Sequence, residues 1–213
     1  MGRDGLFDLL RFHGLLTRRR TRYAKTTHSH HWLHKYPNLT QDLILTSIEQ
    51  LWVPDISYIR TLSGFNYLSL ITDAYSHKIV GYTLYETLAA IGCIETLKMA
   101  IQSRERKGLF TLIHHSDRGI QYCSADYVNL LVEDKTLISM TQSGSPYENA
   151  LAESINGIIR NEFFPKRIYR NHKEAKKVMT AIIASYNGKR PHESCDYLTP
   201  NQANQKTGIL KKR

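Results

Sequence analysis

Cysteine is scarce in this sequence. Three residues, Cys93, Cys123 and Cys195, lie at wide spacings. An odd number without a CxxC pair excludes a disulfide framework and a cysteine-based zinc site, leaving plain thiols. Long apolar runs are missing too. Hydrophobic residues make up 41% of the chain, yet no window approaches the ~18 to 20 uninterrupted apolar residues that a membrane span needs. The opening MGRDGLFDLLRFHGLL breaks its apolar residues with Asp4 and Asp8, which is not the layout of a secretory leader, so a cytoplasmic protein is expected. Internal repeats and low-complexity segments are absent, which excludes a solenoid or a long disordered tail. What remains, in 213 residues, is one domain of ~150 residues with appendages.

Charge is plentiful but unevenly placed. Lys and Arg number 29 against 19 Asp and Glu, a net charge of +10. Residues 1–37 carry eight basic and two acidic residues, and residues 160–213 carry 13 and four. The stretch between them reverses the balance, with eight basic and 13 acidic residues. Basic ends with histidine and aromatic interleaving, as in RRRTRYAKTTHSHHWLHKY, suit a polyanion whose phosphates release counterions on neutralisation. The acidic middle is either a solvated surface or a set of carboxylates gathered to hold a divalent cation against that polyanion.

The acidic middle opens with three strand-like runs, LWVPDISYI (51–59), FNYLSLITDAY (65–75) and KIVGYTLY (78–85), separated by short turns. These predict an antiparallel meander. From Thr87 a helical period takes over, with Leu88, Ile91, Ile94, Leu97 and Ile101 on one face and an end near Lys107-Gly108. FTLIHHSD (110–117) reads as a buried strand, Ser124 as the cap of a helix to about Val132, and TLISM (136–140) as a fifth strand. The order predicts an α/β sheet of mixed sense covered by helices. Ser145-Pro146-Tyr147-Glu148 is a capping box with proline at the first helical position, so a helix starts at Pro146. A last helix begins near Asn171, with Glu174 three residues on, and carries Ala175, Val178, Met179, Ile182, Ile183 and Tyr186 on one face. YNGKRPH breaks it, and the remaining ~26 residues read as loop or tail.

At ~100° per residue, the helix from Pro146 puts Asn149, Glu153, Asn156 and Arg160 in one polar stripe, with Leu151, Ala152, Ile155, Ile158 and Ile159 on the far side. Asp55 sits inside an apolar strand between Val53 and Ile56, and Asp117 ends another after Leu112 and Ile113. An unpaired carboxylate in such places is costly to bury. Three carboxylates on a strand, a strand end and a helix suit a hard divalent ion, Mg²⁺ or Mn²⁺, because every ligand is oxygen.

Asp55 in WVPDISYI, Asp117 in HSDRGIQY and Glu153 in SGSPYENALAESINGIIRNEF, with 35 residues between the last two, resemble the catalytic triad of retroviral-integrase-like transposases. The insertion-sequence-three family is the nearest match, specifically its second-frame product (OrfB). ITDAYSHKIVGYTLY, Arg160 seven residues after Glu153, and YNGKRPHESCDYLTPNQA agree with it, and the resemblance runs from about Gly2 to Ala203.

The resemblance implies a ribonuclease H-like fold, a five-stranded mixed sheet flanked by helices. It implies a basic arm over 1–45 that ends a helical DNA-binding segment, a catalytic core over 46–165 and a C-terminal helix with a basic tail over 166–213. The implied activity is metal-dependent cleavage and strand transfer of insertion-sequence ends, with two Mg²⁺ or Mn²⁺ ions held by Asp55, Asp117 and Glu153. DNA contacts fall to Arg160, Asn149, Asn156, His115 and Arg190. The implied partners are the transposon ends, the target DNA and a first-frame helix-turn-helix protein (OrfA) or a fusion with it, in a multimer on DNA.

Other features have plainer readings. His28, His30, His31 and His34 have no cysteines beside them and read as a polar arm rather than a zinc site. His114 reads as a core histidine, and Asp73 as a turn-capping aspartate rather than a ligand. Pro54, inside a strand that should be internal, predicts a bulge or a damaged copy. The alternative function is therefore a catalytically inactive DNA-binding remnant or regulator of transposition.

Overall fold

The computed structural model describes residues 2–16, 31–105, 111–142, 149–164 and 168–206. A helix α1 (Arg3–Phe12) precedes three strands, β1 (Leu51–Thr61), β2 (Gly64–Asp73) and β3 (Ile79–Tyr85). Then α2 (Ala90–Gln102), β4 (Ile113–Ser116), α3 (Ala125–Glu133) and β5 (Leu137–Met140) alternate. Helix α4 (Ala150–Ile158) runs into a π-helical turn, Ile159–Phe163, and α5 (His172–Lys189) and α6 (Pro200–Gln205) close the chain.

The five strands form one sheet in the order β3-β2-β1-β4-β5. β1–β2 and β2–β3 are antiparallel, while β1–β4 and β4–β5 are parallel. Short turns permit the first three, and the helical crossovers α2 and α3 make the last two parallel. The expected mixed sheet is the one observed.

Strand alternation splits the core into two layers. Ile59, Leu68, Leu70 and Leu84 bury one face against Ile155 and Ile159 of the α4 region and Met179, Ile183 and Tyr186 of α5. Trp52 and Ile71 face the other way, against Cys93, Ile94 and Leu97 of α2 and Tyr127 and Leu131 of α3.

Three details depart from the sequence expectations. Helix α2 starts at Ala90 rather than Thr87, and its buried face runs through Cys93, Thr96, Leu97 and Ala100, leaving Ile91 46% exposed. The cause is close approach to β3: a Cβ on Gly81 would lie 2.4 Å from the Thr96 carbonyl oxygen and 3.0 Å from the Ala100 Cβ. Only small residues fit at that crossing, and they set the helix rotation.

The tail is also more ordered than a loop. Thr199 and Gln202 form a full capping box over α6 with Pro200 in the first turn, and Cys195 and Ala203 pack on Ile48 and Tyr75. A helix of six residues is too short to show a period, so its cap was the one available signal. The expected starts and ends at Pro146 and Lys107-Gly108 lie outside the described residues.

Pro54 makes no bulge. The β1–β2 register runs through Val53↔Thr72, Pro54↔Ile71 and Asp55↔Leu70 without a slip, and the irregularity lies between Ile71 and Thr72 on the β2–β3 side. The Leu51 carbonyl accepts from Ala74 on the β2 side, whereas the Gln50 carbonyl accepts from Ile113 on the β4 side. By alternation the nitrogen of residue 54 points toward β4, whose pairing with β1 ends at Trp52↔His114. The missing donor therefore costs no rung of the observed ladder.

Candidate active site

The sheet places two of the three carboxylates by simple geometry. Trp52 and His114 form the last rung between the parallel strands β1 and β4, and Asp55 and Asp117 each lie three residues beyond it. Both therefore emerge at the same end of the sheet, where the strands part. Asp55 shares its sheet face with Ile59, the face covered by α4. Glu153 lies in the first turn of α4 and is exposed.

Asp55 is held on both oxygens. The Ile56 backbone N–H donates to Oδ1 at 2.8 Å, and the Asn156 side-chain amide donates to Oδ2 at 2.6 Å. Burial pushes its carboxyl up to about 7 against these two hydrogen bonds, and the negative charges of Asp117 and Glu153 push it further the same way. The charges of Asp117 and Glu153 thus reach Asp55, as smaller influences than its burial. Asp117 is half-buried and accepts from the Gly119 backbone N–H at 2.9 Å, which fixes Oδ1 in a tight turn.

The remaining candidates divide. Asn149 is the buried N-cap residue of α4, and Arg160 is half-buried in the π-helical turn. Asn156, expected on an open polar stripe, is 4% exposed and turned to Asp55. The stripe fails there because α4 lies against β1, so a polar side chain facing the strand finds a carboxylate and not water. His115 is buried in β4, with Nδ1 2.8 Å from the Ser139 hydroxyl. Arg190 makes a forked pair with Glu162, its Nε and one terminal nitrogen donating at 2.7 and 2.8 Å. That fork pulls the Glu162 carboxyl below its ordinary range.

Sequence reasoning did not find the partner of His31, whose Nε2 lies 2.9 Å from the carbonyl oxygen of Arg118, next to Asp117. A contact between residues 87 positions apart leaves no local sequence signal. His28 and His30 lie outside the described residues. Asp73 is a turn cap: it accepts from the backbone N–H groups of Glu49, Tyr75 and Ser76 and from the Ser76 hydroxyl. His114 is a core histidine bonded to the Tyr127 hydroxyl at 2.9 Å, its basicity lowered to about 3 by burial.

Among the described residues, no group of three or more His, Cys, Asp or Glu side chains is drawn together tightly enough to hold an ion. The donor set nevertheless suits one. A buried carboxyl pushed to about 7 beside two further acids is relieved by a hard cation, and all three side chains offer oxygen. No described helix is long and apolar enough to cross a membrane.

A mixed sheet ordered β3-β2-β1-β4-β5, carrying acids beyond its central parallel rung and on the following helix, defines an integrase-type catalytic core. Two family models, each described as an integrase core domain, match residues 46–146 and 135–200. An insertion element IS600 protein of 31 kDa from Shigella sonnei is 35% identical over 202 residues, which cover 94% of this chain and 74% of that protein. The transposase InsF of insertion sequence IS3fB from Escherichia coli is 32% identical over 199 residues, 91% of this chain and 67% of its own length. The chain belongs to the insertion-sequence-three family of transposases. It spans 56% of the length of the IS986/IS6110 relative from Mycobacterium tuberculosis.

Solved structures agree on the fold. A chain of the simian T-cell lymphotropic virus intasome in complex with the PP2A regulatory subunit B56 gamma superposes with a TM-score of 0.63 at 16% identity, over 85% of this chain and 62% of that one. The catalytic core of HTLV-2 integrase, in complex with magnesium, superposes with a TM-score of 0.56 at 15% identity, over 75% of this chain and 98% of that one. The ribonuclease H-like architecture expected from the sequence is the observed one.

Proposed function

We propose that the chain is a polynucleotidyl transferase that cleaves insertion-sequence ends and transfers the freed strands, with Asp55, Asp117 and Glu153 as its catalytic residues. The observation that carries this reading is the coupling of Asp55 to Asp117 and Glu153 at the end of the sheet where β1 and β4 part. The three carboxylates would hold two Mg²⁺ or Mn²⁺ ions, and the magnesium in the HTLV-2 core supports that choice. When bound, such ions activate an attacking oxygen and steady a leaving one.

The chain's own residues supply placement. Asn156 and the Ile56 N–H fix both oxygens of Asp55, and the Gly119 N–H fixes one of Asp117. Glu153 stands exposed at the mouth, where DNA arrives. Arg160, two turns along from Glu153, would meet a phosphate, and Asn149 is a weaker contact at the helix start. Cleavage and joining are the same chemistry, attack of a hydroxyl oxygen on a phosphodiester in which one P–O bond forms as another breaks. No covalent bond to the protein is needed.

On this reading residues 1–45 are a basic arm, 46–165 the core and 166–213 a C-terminal helix with a basic tail. A first-frame helix-turn-helix partner, or a fusion with it, supplies end recognition, and a multimer pairs the ends. The test is a denaturing-gel assay of purified chain with end duplexes and Mn²⁺ or Mg²⁺, with and without the first-frame partner, alongside Asp117→Asn and Glu153→Gln. Nicked or joined product that both substitutions abolish is expected. Product that survives both would overturn the assignment.

A further inference from the structure

We propose that the exposed basic face at the start of α5, made by Arg170, Lys173, Lys176 and Lys177, is a phosphate-binding track for duplex DNA flanking the reacting phosphate. The proposal rests on the strand-transfer reading for the position of that phosphate, but the surface itself stands on separate observations.

All four side chains are exposed. Lys173, Lys176 and Lys177 share one helical face, being three and four residues apart. No ion pair with a carboxylate involves any of the four among the described residues, in contrast to Lys98, which reaches Glu95 at 3.0 Å, and Arg190. The one acid on the same stretch, Glu174, is exposed but engaged by backbone: its Oε2 accepts from the Arg170 N–H at 2.7 Å, and it forms no ion pair with the four cations among the described residues. Residues 163–192 contain no other acidic residue, and residues 56–72 of the adjoining hairpin contain none. Four cations against one carboxylate leave the patch a net positive charge that suits a polyanion.

The patch is also held rigidly. The Leu62 N–H donates to the Tyr169 carbonyl at 2.8 Å, and Tyr169 donates to the Arg60 carbonyl at 3.3 Å. His172 Nδ1 lies 2.7 Å from the Asn66 side-chain oxygen, and Asn171 caps the helix through the Glu174 N–H at 3.0 Å. Three links fasten the start of α5 to the β1–β2 hairpin and the Asn171 cap secures its first turn, so the backbone that carries the cations is in place before a ligand arrives.

Their position fits a duplex engaged at the catalytic acids. α5 covers the same sheet face as α4, and it starts beside Thr61, which bridges to Tyr169. The six residues from Asp55 to Thr61 extend ~20 Å at ~3.3 Å per residue, a distance of about six base pairs at 3.4 Å each. Along the helix, Arg170 to Lys177 covers about 10 Å, or about three nucleotide steps. The track should therefore touch phosphates roughly five to eight nucleotides from the reacting one.

The experiment measures duplex binding by fluorescence anisotropy without metal across a salt series, using the full chain and a variant carrying Arg170→Gln, Lys173→Gln, Lys176→Gln and Lys177→Gln. Each neutralised phosphate contributes ~0.9 to the slope of log affinity against log salt, so the variant, lacking four cations, should lose up to about 3.6 from the slope and at least about tenfold in affinity at low salt. The Lys→Arg version at the three lysines should keep both, and Lys98→Gln should change neither. Ethylation interference should place the lost contacts five to eight nucleotides from the reacting phosphate.

An unchanged slope in a folded Gln variant would overturn the proposal, as would a full chain that binds no duplex. If the Gln variant loses binding while Asp117→Asn leaves strand transfer intact, the track stands and the catalytic assignment falls. If Asp117→Asn abolishes transfer while the Gln variant binds normally, the reverse holds.

Discussion

Asn156 donates its amide to Oδ2 of Asp55 at 2.6 Å, joining the helix that carries Glu153 to the strand that carries Asp55. The contact favours the charged carboxylate, opposing the burial that pushes its carboxyl up to about 7.

Removing that donor should therefore raise the Asp55 carboxyl further. For Asn156→Ala we expect the pH at half-maximal strand transfer to rise by about one unit and the Mn²⁺ requirement to increase, since a hydrogen bond to a charged group is worth roughly 1.5–3 kcal/mol. A pH–rate profile at saturating DNA checks this. A lower rate with an unmoved profile would mean that Asn156 serves DNA and not Asp55.

Asp55 also sets a pH dependence of stability. Its folded carboxyl titrates near 7 against an ordinary 3.8, so between those values the folded chain holds the extra proton. Stability from this group is fully present below about 4 and is lost as pH rises through about 7. Asp55→Asn should thus stabilise the metal-free chain by about 2 kcal/mol at pH 8 and by little at pH 4.5, a value discounted for partial solvent access. Urea midpoints of both proteins at the two pH values decide it. Mg²⁺ should raise the wild-type midpoint at pH 8 and leave the variant unmoved.

The Arg190–Glu162 fork gives a third expectation. Its bonds of 2.7 and 2.8 Å join the end of α5 to the π-helical turn behind Glu153. A double-mutant cycle with Arg190→Gln and Glu162→Gln should show a coupling of about 1 kcal/mol, typical of a well-aligned pair with solvent access. Because the guanidinium is occupied, Arg190→Gln alone should lower duplex affinity less than twofold. A larger loss would assign Arg190 a DNA contact in addition to its pair with Glu162.

Gly81→Ala tests the α2–β3 crossing. Its Cβ would meet the Thr96 carbonyl at 2.4 Å, a contact backbone atoms cannot relieve cheaply, so a loss of about 3 kcal/mol is expected. A thermal melt measures it.

Much of this architecture was legible because its signals are local. Alternating apolar residues in β1 to β3, the apolar runs of β4 and β5, and a carboxylate placed among Val53, Ile56, Leu112 and Ile113 are all visible within a few residues. The partnerships were not. Asn156 reads as a surface residue on α4 because helical spacing says nothing about which strand the helix crosses. The Glu162 partner of Arg190 leaves no local signal because it lies 28 residues away in sequence. Ile91 was misplaced on the core face by a helix rotation that depends on Gly81, a residue in another element. α6 was missed because six residues hold too few apolar positions to declare a face.

Pro54 has a reach beyond its own residue. On the edge of β1 that faces β4, the donor following Trp52 would be the nitrogen of residue 54, and proline has none. One further rung would have drawn the chain after Ser116 into the sheet and taken Asp117 with it. An imino acid thus acts as a terminator between two parallel strands, splitting the sheet like the fork of a zip one residue before Asp55. Asp55 and Asp117 emerge where the zip stops, and Pro54→Val is the substitution that would let it close.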